Sequence, residues 1–340
     1  MERRDQQRHR HREGERHDGR VLAVHVEPTD DDDAHDRADD RRGHEDATPP
    51  VVPGDRDGEC FRRRDAEACH GTQGHEPGEH RVTREVADGA AEIVDETANK
   101  NYDIIVAVGG DGTINEVGAK VMQQNKILGI IPFGSGNGLA RFLKISMNPR
   151  KALEVINQCH ITKIDTATFN DKVYFNMAGM GFDAHISAIF AGNKKRGFSG
   201  YLKLGLKEML NYKPDTYTIL IDGKTFIRKA FVVSVANSSQ YGNNAYISPL
   251  ASASDGLLDV CIVRNFPLYR IPVLAFYMLT AKTHRSDMVE IIKGKDIHIS
   301  RPTAAAIHID GEPFFMDKEI AITIQPLSLN VIVPGETVQK

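Results

Sequence analysis

Four residues, Gly109-Gly110-Asp111-Gly112, stand between an apolar run at residues 104–108 and a helix-like pattern opening near Thr113. A turn after a buried parallel strand lies at the carboxyl edge of its sheet, where open α/β sheets bind ligands. Glycines there let an anion approach main-chain N–H groups, and the following helix adds its positive N-terminal end. Asp111 has the wrong charge for direct phosphate contact; it makes sense if a Mg²⁺ or a reacting hydroxyl lies between them. Taken alone, the cluster also fits a tight strand-to-helix turn with a capping aspartate. A second strand, however, ends in "PFGSGNGLAR", residues 132–141, again glycine-rich and again opening a helix. Two adjacent sheet edges of this kind make one wide phosphate cradle. It is neither a Walker loop nor a dinucleotide turn, because GxxxxGK[ST] and GxGxxG are absent from it.

The elements that must hold such a cradle can be read on either side of it. "AEIVDETANKN" closes a helix, "YDIIVAV" and "KILGIIPF" read as fully buried strands, and "NEVGAKVMQQN" is a helix between them. "GNGLARFLKI" begins a further helix, continued by "PRKALEVINQC" after a break at Pro149. This β–α–β–α order predicts a parallel α/β domain. After about Thr162 the style changes to short alternating strands, among them "KIDTATFN", "TYTILIDGK", "KAFVVSVANS", "LLDVCIV", "AAIHIDGEPF" and "EIAITI". Turn residues separate them, which predicts an antiparallel β domain interrupted by helical patches at residues 184–212 and 269–282.

"GGDGTINEV" followed by "PFGSGNGLAR" resembles the catalytic domain shared by diacylglycerol kinases, sphingosine kinases and the bacterial diacylglycerol kinase-like lipid kinases. GGDG alone is shared with NAD kinases and, more loosely, phosphofructokinases; the G-S-G-N element with its trailing "LAR" is what points to lipid kinases. The resemblance runs from about Tyr102 to the C-terminus and includes "NMAGMGFDA", "DGLLDV" and "IDGEPF". It implies a two-domain α/β protein: an NAD kinase-like nucleotide-binding domain, a β-rich domain, and an active cleft between them. The family's early strand and its Asn-Pro-x-Ser-Gly loop would fall in the first hundred residues, where no such sequence stands.

The resemblance also assigns roles. ATP contacts fall on Gly109, Gly110, Asp111, Gly112, Thr113, Ile114 and Asn115, and on Gly134 and Ser135 in the second turn. A helix-start role is the rival for Asn115. Asp111 would organise a Mg²⁺–phosphate network, and Glu312 in "HIDGEPF" would be the general base taking a proton from a lipid hydroxyl. Pro313 is read as forcing the turn there, with Asp310 on the same strand face as Glu312 and one step deeper. The plainer reading is a solvent-exposed hairpin carboxylate. Asp255, with backbone carbonyls at Ser252 and Leu257, matches the family's Mg²⁺ site, whereas Asp259 alternates with apolar neighbours and reads as an outward strand residue. Asp183 would steer the substrate's polar head. Sphingosine kinases carry an acid where this chain has His185, which favours a neutral diacylglycerol-like hydroxyl over a sphingoid base.

Length and composition bound the rest. A chain of 340 residues favours two domains, and a net charge of −4 gives no general electrostatic case for nucleic acid. Four cysteines without paired motif spacing predict a reducing compartment and no disulfide framework. Cys60, Cys69 and His70 lack metal-site spacing. With no secretory signal and no apolar stretch near the ~20 residues of a spanning helix, the expectation is a soluble cytoplasmic protein. The first hundred residues hold 16 Arg and 9 of the 14 His but one Lys, one Ile, one Leu and no Tyr. Residues 1–89 are therefore expected to be disordered or translated from a foreign or altered frame, ahead of a nucleotide-binding domain at 90–160 and a lipid-substrate domain at 161–340. Two stretches fit a membrane surface: the basic, amphipathic "NKKRGFSGYLKLGLKEMLNYK" and the aromatic-aliphatic "PLYRIPVLAFYMLTAKTHR". The expected function is an ATP-dependent lipid kinase in peripheral contact with the membrane. The alternatives are an NAD kinase and a non-catalytic nucleotide-binding regulator.

Overall fold

Strands that are apolar at nearly every position must be covered on both faces, and two such strands build the part of the molecule that carries the glycine turns. The computed structural model describes residues 20–25, 81–82, 91, 94–95, 102–191, 208–209 and 211–335, all within one compact unit. Of residues 1–89 it describes two strands, β1 (Arg20–His25) and β2 (Arg81–Val82), which pair antiparallel with each other. β1 also runs antiparallel along β3 (Ile104–Gly109). "VLAV" is the longest aliphatic run before residue 90, and it is what supplies this strand. The other residues of 1–89, with Cys60, Cys69 and His70, lie outside the described residues.

β3 pairs parallel with β4 (Ile127–Pro132), in a register from Ile104↔Ile127 to Gly109↔Pro132. Both strands therefore end at one level, and the two glycine turns emerge side by side. Between them α1 (Asp111–Gln123) lays Ile114, Val117, Gly118 and Val121 on the sheet, a spacing of three and four residues that marks a helix with one buried stripe. The helix opens at Asp111, two residues ahead of the predicted start, with Gly110 at its N-cap. α2 (Gly138–Phe142) and α3 (Pro149–Gln158) follow the second turn. Pro149 is the first residue of α3 rather than a break: the Asn148 side chain accepts hydrogen bonds from the Arg150 and Lys151 N–H groups.

The β-rich half comprises β5 (Ile161–Phe169), β6 (Lys172–Tyr174), β7 (Met177–Gly181), α4 (Phe182–Ala191), β8 (Asp215–Ile221), β9 (Lys224–Ala236) and β10 (Leu258–Arg264). A 3₁₀ turn (Leu268–Arg270) leads into α5 (Ile271–Leu279). Five strands complete the chain: β11 (Val289–Gly294), β12 (Asp296–Ser300), β13 (Ala305–Ile309), β14 (Glu312–Met316) and β15 (Glu319–Ile332). One hydrogen-bonded path runs β14-β13-β7-β9-β8-β12-β15-β4-β3-β1-β2, with β10–β11 branching from β9 and β5–β6 from β15. Most pairings are antiparallel, as the alternation predicts.

β15 was only half visible as "EIAITI". It runs for 14 residues in all, on through Pro326, where the register shifts between Gln325 and Leu329 and Leu327 takes φ 48°. Past this bulge the strand carries on from the β-rich half into the α/β half. Its first part pairs antiparallel with β12 and β5, and Asn330–Val331 then pair parallel with β4. Leu329, Val331 and Ile332 are buried with Ile104–Ala107 in the core of the α/β half. Among the described residues no helix is long and apolar enough to cross a membrane. The basic stretch at residues 193–213 lies mostly outside the described residues.

Candidate active site

The two glycine turns touch. A Cβ on Gly134 would stand 2.5 Å from the Gly110 Cα, a backbone atom that has no way to give. The second turn is pinned by Asn137, which holds a left-handed conformation (φ 52°) and exchanges two hydrogen bonds with Gly134, at 2.9 and 2.8 Å. Arg141 Nε donates to the Gly136 carbonyl at 3.1 Å. Asn137 was not singled out in the sequence, although an asparagine closing a glycine turn is the residue that tolerates such a backbone best.

Asp111 reaches across this contact. Its Oδ1 accepts from the Gly138 N–H at 2.8 Å, and its Oδ2 lies 2.8 Å from where a Gly136 Cβ would be. Burial, reinforced by the negative charge of Asp310, pushes its carboxyl up from the ordinary 3.8 to about 6. Among the described residues no side chain caps α1, and the first-turn N–H groups at Asp111, Gly112 and Thr113 have no partner within the helix. With Ser135, which is exposed on the second turn, they form the open donor surface of the cradle.

The other residues assigned to the nucleotide divide. Thr113 is buried, and its side chain covers Gly109: a Cβ there would meet Thr113 Oγ1 at 2.6 Å. Ile114 is in the core; the reading of it as an ATP contact is corrected, since its side chain faces the sheet and its N–H bonds Gly110 O at 3.0 Å. The Asn115 amide is also committed. It donates to Asp310 Oδ2 at 2.7 Å and to the Val173 carbonyl at 3.0 Å, tying α1 to the β-rich half.

Asp310 and Glu312 do not share one strand, as alternation suggested. Asp310-Gly311 is the two-residue turn joining β13 and β14, with φ of 45° and 89°, and Ile309 pairs with Glu312 across it. Asp-Gly is the sequence that such a turn favours, so Pro313 is not its cause. Pro313 lies within β14, opposite His308, on a strand with one neighbour. The turn sends the two carboxylates to different places. Asp310 is buried and accepts from the Phe175, Asn176 and Met177 N–H groups, each at 3.0 Å. Burial pushes its carboxyl up against the pull of these bonds. Glu312 instead lies over the first turn of α1, where its Oε1 is 2.5 Å from the place a Gly112 Cβ would occupy. A carboxylate from the β-rich half thus stands at the open N-terminus of α1.

Asp310→Ala would leave three buried N–H groups without their acceptor and take one of the two acceptors of the Asn115 amide. We expect it to cost about 3 kcal/mol or more in denaturant unfolding.

Asp183 turns inward. Its Oδ2 accepts from His308 Nε2 at 2.9 Å, the Tyr241 hydroxyl at 3.2 Å and the Ser234 hydroxyl at 3.3 Å. These bonds hold the carboxylate beneath Gly179. His185 pairs with Glu208 at 3.3 Å.

At the assigned metal site, Lys293 Nζ is 2.9 Å from Asp255 Oδ2 and 3.3 Å from Asp259 Oδ1, while Asp255 Oδ1 accepts from Leu257 N–H at 3.1 Å. The Ser252 hydroxyl faces Ser254 at 3.4 Å. The lysine ammonium already neutralises the carboxylate that would draw a divalent cation, so this set does not fit Mg²⁺. Among the described residues no group of three or more His, Cys, Asp or Glu is arranged to hold a metal ion. Asp259 is corrected: it is buried and takes a hydrogen bond from the Ser248 hydroxyl.

The comparisons with known proteins agree with the division into an α/β half and a β-rich half. The diacylglycerol kinase catalytic domain matches residues 66–169, and the YegS C-terminal NAD kinase beta sandwich-like domain matches residues 176–333. The "Probable lipid kinase YegS-like" of Chromohalobacter salexigens is 31% identical over 250 residues, covering 71% of this chain and 80% of the relative. The "Probable lipid kinase YegS" of Salmonella arizonae is 33% identical over 267 residues, covering 75% and 86%. Among solved structures, a diacylglycerol kinase from Bacillus anthracis superposes with a TM-score of 0.58 at 22% identity, over 73% of this chain and 82% of that one, which establishes the fold.

Proposed function

Since the chain belongs to the diacylglycerol kinase and YegS-like family of lipid kinases, we propose that it moves the γ-phosphate of ATP onto the hydroxyl of a diacylglycerol-like lipid. The observation that carries this reading is the Glu312 carboxylate standing at the open N-terminus of α1. Phosphates rest on the N–H groups at Asp111–Thr113 and on the second turn at Gly134 and Ser135, where the helix end favours negative charge. The lipid hydroxyl enters beside Glu312. Its oxygen bonds to Pγ as the bond from Pγ to the bridging oxygen breaks; Glu312 takes the hydroxyl proton, and ADP leaves with the bridging oxygen. Asp111 fits the Mg²⁺ that accompanies the nucleotide, because burial and Asp310 both oppose its charge and a cation beside it offsets that cost. Bound there, the ion would neutralise charge on the phosphates.

Purified protein given radiolabelled ATP, Mg²⁺ and a panel of diacylglycerol, sphingosine, bacterial lipid extracts and NAD should label a diacylglycerol-class lipid. Label appearing on NAD instead, or on no acceptor, would overturn the reading. The cradle has its own test. Gly134→Val would force the two turns apart, and we expect a loss of about 10²-fold in kcat/KM for ATP, the scale of a ~1 Å misplacement, with lipid binding unchanged.

A further inference from the structure

α5 (Ile271–Leu279) is apolar on the side that should be polar. Its inner residues, Leu274 and Met278, pack on a core that includes Met177, Phe231 and Ile247. A surface helix ordinarily turns charged or polar residues outward. This one contains no charged residue, and it and the 3₁₀ turn before it present Tyr269 at 80% exposure, Val273 at 42%, Phe276 at 58% and Leu279 at 63%. These recur at three- and four-residue steps, so they share one face, and a contiguous exposed apolar face of this kind marks an interaction site.

The charges around it have one sign where they are unpaired. Arg264 and Arg270 are matched by Glu290 and Asp287. Just past the helix, Lys282, His284 and Arg285 are exposed, and among the described residues none forms an ion pair. We propose that the outer face of α5 docks on an anionic lipid bilayer. Phe276 and Leu279 enter the acyl boundary, Tyr269 sits at headgroup level, and Lys282 and Arg285 meet lipid phosphates. At nine residues the helix is far short of the ~20 needed to cross the hydrocarbon core, so it lies along the surface. A second copy of the chain fits less well: a two-fold contact would bring Lys282 and Arg285 toward their own equivalents.

The inner side of the helix is tied to a loop that borders the second glycine turn. Met278 O accepts from Tyr246 N–H at 3.1 Å, and the Thr283 hydroxyl donates to Tyr246 O. The loop carrying Tyr246 covers the second glycine turn: Asn243 N–H donates to Gly136 O at 3.3 Å, and Tyr241 reaches Asp183. A bilayer held at α5 therefore sits next to the segment that borders the phosphate cradle. The purpose of this docking rests on the lipid kinase reading; its test does not.

The test is co-sedimentation of the full chain with phosphatidylcholine vesicles, one third phosphatidylglycerol, containing no diacylglycerol and no ATP. The double variant Phe276→Ser, Leu279→Ser should lose at least about tenfold in partitioning, since two large apolar groups no longer leave water. Its melting temperature should match the parent, because both side chains are exposed. Lys282→Glu with Arg285→Glu should abolish the extra binding that the anionic lipid confers and leave binding to pure phosphatidylcholine as it was. Glu312→Gln should sediment like the parent, which separates docking from turnover. Undiminished sedimentation of the Ser variant would overturn the proposal, as would a concentration-dependent dimer that the Ser variant dissolves while vesicle binding persists. Vesicle binding by α5 in a protein that phosphorylates no lipid would sink the kinase reading and leave the docking site standing.

Discussion

Asp111→Asn is expected to abolish phosphoryl transfer and, at neutral pH, to raise the melting temperature of the nucleotide-free protein. The sign follows from the direction of the shift. The carboxyl titrates near 6 in the folded chain against 3.8 ordinarily, so between those values the native state holds more protons than the unfolded one. Stability therefore falls as pH rises through that window, and above it the whole cost is present. The shift corresponds to about 1–3 kcal/mol, which the neutral amide does not incur. Asn keeps an oxygen for the Gly138 N–H, so the second turn retains its anchor. Melting curves at pH 5 and pH 8, beside a kinase assay, check both halves. The gain should be about half as large at pH 5 as at pH 8, with activity gone at both. Equal loss of stability at the two pH values would mean that Asp111 only holds the turn; unchanged turnover would remove the mechanism as drawn.

Glu312→Gln should reduce kcat by ~10²–10⁴-fold, the ordinary contribution of general base assistance, with KM for ATP nearly unchanged. Gln preserves the size of the side chain over Gly112 and most of its hydrogen bonding, so the loss isolates proton acceptance. Asp310 is the control. Its carboxylate is committed to three backbone N–H groups and Asn115, and Asp310→Asn should appear first as lost stability. If Asp310→Asn abolished turnover in a fully folded protein while Glu312→Gln remained active, the proton would go elsewhere and the role of Glu312 would be void.

The same contrast shows where local reading stops. The apolar runs of β3 and β4, the stripe of α1 and the two glycine turns are short-range patterns, and each was legible because burial on both faces or on one stripe imposes its own period. Those patterns were enough to place two glycine turns at one sheet edge. They could not say that the turns touch at Gly110 and Gly134, because that contact depends on the register of β3 against β4. Asp-Gly at 310–311 was a readable hairpin signal that the neighbouring Pro313 masked.

By itself, then, the sequence determined a parallel α/β unit with two anion-friendly turns, followed by an antiparallel β unit that carries an acidic turn. Only the tertiary structure decided what those acids do. Asn115 and Asp310 are 195 residues apart and meet at 2.7 Å; nothing in the local composition of either marks the other. Their bond, and the run of β15 from the β-rich half into the α/β half past the bulge at Leu327, set the β13–β14 turn against α1. Glu312 reaches the open end of that helix because Asp310 is held beneath it. Lys293 takes the carboxylate of Asp255 for the same reason: strand pairing brings β11 beside β10, and an ammonium group delivered by a neighbouring strand leaves no signal in the segment it neutralises.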